Sequence, residues 1–283
     1  MSLTLVAPPA PMSSVAPLAD LCRIADEVDL DGGVRVAGEL IRGRFLATAL
    51  ADALHRRYFR NERWALGSGA PSAGRRGSDF CRRLAGALPA AEGRFTYRIA
   101  EGVPSFVVAS NPPTAEAASC FLHLHPGTAP EVFARLVGAL DGYGIGFSAE
   151  LAGDPAACLR TDSAVVTVAR EDAATVARAA LRLQQRTPFA LARSVPAFTR
   201  QVAPGVALAD EPAPGTPSTF GRHRCRLVAA GLVRVASGAG ALARHTAVLE
   251  QLSAAGLDPA AVHLNPGNPE FRIQDGPRLS PSP

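Results

Sequence analysis

The chain has 283 residues, 47% of them apolar and 19% charged, a balance that supplies a buried core and excludes a disordered polymer. Its formal charge is only +4, which lacks the concentrated basic stripe of a nucleic-acid binder. All 29 basic residues other than histidine are arginine, so no lysine is available as a base or Schiff-base nucleophile.

Residues 1–17, rich in Pro, Ala and Ser, read as a disordered tail. Residues 18–90 read as a helical N-terminal region. Leu40, Ile41, Phe45, Leu50 and Leu54 recur at helical spacing, with breaks at Gly32, Gly33 and Gly43. A flexible basic loop is expected over 66–78, where Arg75 and Arg76 sit between glycines. Residues 91–271 read as an α+β domain, and 272–283 as a second disordered tail. Strands are expected at 95–99 and 106–108, about a turn at Gly102 and Pro104. A third covers 119–125, SCFLHLH. Thr128 and Glu131 have the spacing of a capping box opening a helix over 129–141. Strands at 145–151 and 164–168 and a helix over 171–186 follow. Residues 204–209 read as an apolar loop without an internal partner. Ser218 and Thr219 are N-caps for the helix after them, and 239–255 is a further amphipathic helix. This order favours an α+β fold, a mostly antiparallel sheet with flanking helices.

Five cysteines without a CxxC pair suit free thiols in a reducing cytoplasm. No apolar run approaches the ~18 residues of a membrane span, and no basic-then-apolar signal opens the chain. The expected setting is therefore cytoplasmic, with neither membrane nor nucleic acid as a partner.

Three features carry chemistry. On a regular strand, His123 and His125 point the same way, opposite Cys120, Leu122 and Leu124, so two imidazoles converge on one ligand. His55, His223, His245 and His263 have no short ligand spacing to that pair, so no metal or other cofactor is expected. In the helix after Thr219, Arg224 lies in the middle of the apolar stripe while Arg222 and Arg226 point away. A buried guanidinium needs an anion, either an internal carboxylate or a bound phosphate at the helix N-terminus. Arg160 and Asp162 precede the strand at 164–168, either as ligand-binding residues or as a surface pair, and Glu150 lies on the preceding strand. No GxSxG, P-loop or GxGxxG motif is present.

The segments TPFALARSVPAFTRQVAPGVALADEP, STFGRHRCRLVAAGL, the stretch 159–162 and the closing LNPGNPEF resemble the HopA-type family, first named for type III secretion effectors. The resemblance spans roughly 95–271 and is strongest over 187–232. It implies the role of actinobacterial relatives beside kinase-like phosphotransferases of class V lanthipeptide and thioamitide biosynthesis. There the kinase phosphorylates Ser or Thr of a precursor peptide, and the HopA-type lyase eliminates phosphate to leave a dehydroamino acid. His123-Leu124-His125 is similar to the Lys-x-His strand motif of phosphothreonine lyases, with histidine in place of lysine. Elimination needs a base, an acid and cations for the phosphate. The expected assignment is His123 and His125 for proton transfer and Arg224, Arg160, Arg193 and Arg200 for phosphate, with Asp162, Glu150 and His223 as secondary candidates. The family pattern also implies an Arg near Ser119 and a Lys near Glu150. Both are absent, which favours the alternative, a non-catalytic scaffold binding the kinase-like subunit and the precursor leader peptide. A third reading, an effector-like domain acting on host proteins, lacks a Ser-rich amphipathic start. The loop at 204–209 and the apolar residues around Phe198 are the expected kinase-docking surface.

Overall fold

The structure, a computed structural model, describes residues 16–30, 33–42, 44–62, 75–88, 95–100, 103–187 and 189–273. Residues 1–15 and 274–283 of the two expected tails, and 66–74 of the expected basic loop, lie outside these. So do Gly32, Gly43 and the turn glycine Gly102.

The N-terminal region is less uniformly helical than its spacing predicts. Helix α1 (Ala16–Glu27) leads into a small antiparallel meander of β1 (Val28–Asp29), β2 (Arg35–Val36) and β3 (Glu39–Leu40). Two-residue strands carry no period-2 signal, so Leu40 and Ile41, at helical spacing from Phe45, lie in and just after β3 and not in a helix. Helix α2 (Leu46–Leu54) widens into one π-helical turn, His55–Phe59, and α3 (Arg75–Ala87) begins inside the expected loop. π-turns inside helices concentrate at functional sites.

The strands β4 (Phe95–Ala100), β5 (Val103–Ser110), β6 (Ala117–Leu122), β7 (Phe147–Ala152), β8 (Ala164–Ala169), β9 (Arg200–Ala203) and β10 (Val206–Asp210) form one sheet. Its order is β4-β5-β7-β8-β6-β10-β9, and every neighbouring pair is antiparallel. Helices α4 (Ala129–Gly142), α5 (Ala173–Arg186), α6 (Phe220–Leu232) and α7 (Ala241–Ala254) complete the α+β fold. The capping box at the start of α4 does not form. Thr128 makes no side-chain cap, and Glu131 instead accepts two hydrogen bonds from Arg83 at 2.9 and 2.7 Å.

The two faces of the sheet are covered differently. Phe106, Val108, Cys120, Leu122, Phe147, Leu151, Val166 and Val168 pack into a core with Leu84, Phe133, Leu140 and Val176 of α3, α4 and α5. On the other face, Phe121 and Ala209 pack with Leu21, Ile24, Leu54, Phe59, Phe220, Val228 and Leu252, from α1, α2 and its π turn, α6 and α7. Each fully buried Leu or Phe contributes about 1.5–3 kcal/mol. This helical cover sits over β6 and β10, while Ser105, Ser148, Glu150 and Thr167 of β5, β7 and β8 face a cavity beside it.

The apolar stretch at 204–209 is not a loop. Pro204 and Gly205 turn β9 into β10, and Val206–Ala209 are wholly buried as an inner strand between β6 and β9. Gly205 has φ +72°, and a Cβ there would meet the Ala192 carbonyl at 2.1 Å, so only glycine fits. Phe198 is buried as well. Val206–Ala209 and Phe198, expected on a kinase-docking surface, are therefore inside the chain's own fold and offer no exposed apolar patch.

Candidate active site

A cavity of about 500 Å³ lies on the second face, between the sheet, the π turn and the start of α6. Strand alternation supplies its floor. Phe147, Ala149 and Leu151 of β7 go into the first core, which leaves Ser148 and Glu150 on the cavity side. Likewise Val165 and Thr167 of β8 face it while Ala164, Val166 and Val168 do not.

One wall is a stitched pair of chain segments. Thr161 donates its hydroxyl to the Phe59 carbonyl and its N–H to the Arg60 carbonyl, the latter at 3.1 Å. Ser163 is fixed by the Leu122 carbonyl at 3.0 Å and by the Leu124 N–H at 2.8 Å. Between them, Arg160 grips Asp162 through two bonds, Nε to Oδ1 at 2.9 Å and Nη2 to Oδ2 at 2.8 Å. Arg60 approaches the same carboxylate at 3.4 Å and Glu62 at 3.6 Å. Burial acts to raise the Asp162 pKa, but the charge and hydrogen bonds of Arg160, then Arg60 and His55, outweigh it and bring the pKa down to about 2. This carboxylate is ionised and engaged. It suits holding guanidiniums in place more than taking a proton.

The facing wall is the end of β10 and the first turn of α6, with Glu211, Thr219, Phe220, Gly221 and Arg222. Glu211 Oε1 accepts from Ser119 Oγ at 2.6 Å, and Oε2 accepts from the Phe220 N–H at 3.1 Å, replacing the side-chain cap that Thr219 does not make. Ser119 Oγ also lies 2.9 Å from Thr167 Oγ1. Burial raises the Glu211 pKa above the usual carboxylate value, against the hydrogen bonds from Ser119 and Phe220 and the charge of Arg224. Arg222 donates to Asp52 of α2 at 2.9 Å while lining the cavity. Beneath them, Phe59, Phe121 and Phe220 form an aromatic cluster, with Phe59 edge-on to Phe121 at 5.5 Å and His55 stacked on Phe59 at 5.1 Å.

Of the residues singled out in the sequence, Arg160, Asp162 and Glu150 meet here. The Arg160–Asp162 alternative was a surface pair, but the observed pair is buried. The two histidines do not converge, because β6 ends at Leu122. His123 is buried with Nδ1 3.0 Å from Ser194 Oγ, and burial lowers its pKa despite hydrogen bonds to the backbone of Ser194 and Leu159. His125 is exposed in the turn before α4, its Nδ1 accepting the Gly127 N–H at 3.2 Å. Neither lines the cavity. Arg224 is fully buried but spends its donors on the chain itself: Nε on the Val262 carbonyl at 2.7 Å and Nη2 on the Leu264 carbonyl at 3.1 Å, with the guanidinium 4.9 Å over the Phe220 ring. His223 accepts from Arg224 Nη1 at 2.6 Å, and burial and the adjacent Arg224 and Arg226 bring its pKa down to about 4. Arg200 binds Glu270 and the Phe271 carbonyl, and Arg193 is exposed away from the cavity. The cavity residues missed in the sequence are His55, Arg60, Arg222 and Glu211. Among the described residues no cluster of three His, Cys, Asp or Glu could hold a metal, and no helix is long and apolar enough to cross a membrane.

The model of the HopA1 effector protein family matches residues 95–264. The chain belongs to that family. Two solved structures share the fold at low identity. One is the effector protein from Pseudomonas syringae pv. tomato strain DC3000, 15% identical with a TM-score of 0.60, covering 89% of this chain and 98% of its own. The other is the effector protein from P. syringae pv. syringae strain 61, 14% identical with a TM-score of 0.61, covering 90% and 100%. No curated protein matches the chain. The HopA1 match begins at residue 95, so His55, Phe59 and Arg60 reach the cavity from outside it, whereas a fold match covering 89% of the chain extends to the N-terminal side of that residue.

Proposed function

We propose that this HopA1-family protein is a phosphoserine/phosphothreonine lyase, acting in peptide dehydration on a precursor that a kinase-like subunit has phosphorylated. The observation that carries the reading is the cavity itself: Arg60 and Arg160 on one wall face Arg222 and the α6 N-terminus on the other, above a floor of strand hydroxyls. Guanidiniums and helix N-termini are the groups that hold phosphate.

In this reading the phosphate lies between Arg60, Arg160 and Arg222. Glu211 takes the Cα proton; the C–H electron pair becomes the Cα=Cβ bond, and the Cβ–O bond breaks with its electrons on the phosphate oxygen. A carboxyl whose ionised form burial disfavours is a stronger base than an exposed one. Ser148 donates to the substrate carbonyl, where negative charge develops, while Ser163 and Thr167 donate to the Leu122 carbonyl and Ser119 Oγ and brace the floor. The proton role expected of His123 and His125 thus passes to a residue that lines the cavity. The scaffold reading draws on one observation: Asp162 and Glu62 already neutralise much of the charge of Arg60 and Arg160.

Mass spectrometry of a synthetic phosphoserine peptide incubated with the protein, with and without the kinase-like subunit, separates the two. Loss of phosphoric acid is the expected result. Peptide that binds but keeps its phosphate in both conditions makes this chain a scaffold.

A further inference from the structure

The closing motif LNPGNPEF and the buried Arg224 take no part in the cavity, yet they are fastened to it. Residues 262–271 form a strap against the end of β10, held by arginines from three elements. Arg224 of α6 binds the Val262 and Leu264 carbonyls. Arg170, after β8, binds the Pro269 carbonyl and lies 4.9 Å over Phe271. Arg200 of β9 binds the Phe271 carbonyl at 2.6 Å. Asp210, fully buried, completes the fastening: it accepts from Arg170 Nε at 2.8 Å, the Asn265 N–H at 2.9 Å and Asn268 Nδ2 at 2.8 Å.

Asn265 is the link between this strap and the cavity. Its Nδ2 donates to the Glu211 carbonyl at 2.6 Å, while Arg224 Nη2 lies 3.4 Å from its Oδ1. Glu211 is where the chain leaves the sheet. Its N–H pairs with the Ala117 carbonyl at 2.9 Å, but the residue after it is Pro212, and the run to Thr219 holds two more prolines. A carbonyl at such an exit has no ladder partner, and one left unmade in a buried place is costly. Asn265 satisfies it, and so sets the direction in which the Glu211 side chain enters the cavity.

We infer that Asn265 is a positioning residue: through the Glu211 carbonyl it holds the Glu211 carboxylate and the α6 N-terminus in the arrangement that receives a phosphorylated side chain. This rests on the lyase reading for the ligand, but not for the geometry. Glu211 touches the Phe220 N–H, so a shift of residue 211 displaces both cavity wall and helix start, and displacements of ~1 Å at a reacting centre cost up to about 10²-fold.

The test compares Asn265→Ala with Asn268→Ala, which loosens the same strap without touching Glu211. Asn265→Ser, smaller but still a donor, serves if the alanine variant does not fold. The probe is a peptide bearing α-methylphosphoserine, which has no Cα proton and so cannot be eliminated. The expected result for Asn265→Ala is faster deuterium uptake over 211–222 and roughly tenfold weaker probe binding, about one hydrogen bond's worth. Asn268→Ala should show faster uptake confined to the strap, with probe affinity unchanged. Equal effects of the two variants, or unchanged uptake at 211–222 in the Asn265 variant, overturn the positioning role. A wild type that binds the probe but never eliminates phosphate from the ordinary phosphoserine peptide overturns the lyase reading alone, since uptake and affinity still judge Asn265.

Discussion

Replacing Arg224 with methionine separates the two roles a central buried guanidinium can play. Methionine keeps most of the apolar stem over Phe220 and removes the charged fork. Two buried carbonyls, those of Val262 and Leu264, then lose donors at 2.7 and 3.1 Å. A charge-assisted bond of this kind contributes about 1.5–3 kcal/mol, and relief of the buried charge offsets part of that. The net loss expected is about 3 kcal/mol. Chains of this length lose roughly 2–4 °C per kcal/mol, so the thermal midpoint should fall by roughly 6–12 °C. Urea unfolding followed by circular dichroism should give the same loss with the slope unchanged. If Arg224→Met stays within about 0.5 kcal/mol of the wild type while phosphopeptide binding disappears, the guanidinium is a ligand for phosphate and the structural argument is wrong.

Three further outcomes follow from the same geometry. Glu211→Gln should lower elimination by about 10² to 10⁴ while leaving α-methylphosphoserine peptide binding in place. In the wild type the rate should rise with pH through a pKa above the ordinary Glu value, a limb the variant lacks; an unchanged rate places the base elsewhere, with Glu150 next. For Asp162 the folded pKa of about 2 lies below the unfolded carboxylate value, so its contribution, roughly 2 kcal/mol, is present above about pH 4 and lost as pH falls towards 2. Urea midpoints between pH 5 and 2 should therefore drop more steeply for the wild type than for Asp162→Asn, and parallel curves refute this. Gly221→Ala puts a Cβ 2.5 Å from Phe59 Cε1, which should cost about 1–3 kcal/mol and lower the thermal midpoint by several degrees; an unchanged midpoint means that the π turn yields freely.

Long periodic segments were the legible part of the fold. Helices α4, α5 and α7 fall within two or three residues of their expected bounds, as do β5, β7 and β8: α4 and α5 bury a regular stripe in the core beneath the sheet, α7 buries Val248 and Leu252 among the other helices, and the strands bury the apolar residues of that same core. The meander at 28–40 was illegible because two-residue strands leave no pattern. Residues 204–209 misled for a different reason. Proline and glycine marked a turn correctly, but a strand buried on both faces has no alternation, and the run Val206–Ala209 then looks like an apolar loop. The expected His123–His125 pair failed where the strand ended. Alternation carries a side chain's direction only while the ladder continues, and β6 stops at Leu122.

The cavity was harder to foresee because its residues share an enclosure and no sequence interval. Half of its signal was present as polar residues alternating with core residues: Ser148 and Glu150 between Phe147, Ala149 and Leu151, and Thr167 between Val166 and Val168. A solvated sheet face has that same pattern, and only the helices over its neighbour turn it into a cleft. The arginines of α6 make the point sharply. Arg222 and Arg224 are two residues apart, about 200° around the helix, and the apolar stripe singled out Arg224 as the buried cation. That inference about burial holds, but α6 has two buried sides. Arg224 faces the C-terminal strap, whose backbone carbonyls take its hydrogen bonds while the nearby Asp210 and Glu211 carboxylates act on its charge, and Arg222 faces α2 and the cavity. A hydrophobic stripe tells which residue is covered. Which ligand it meets depends on what the rest of the chain lays over that stripe, and here that is a segment some forty residues downstream, contacting Arg224 at separations of 38 and 40.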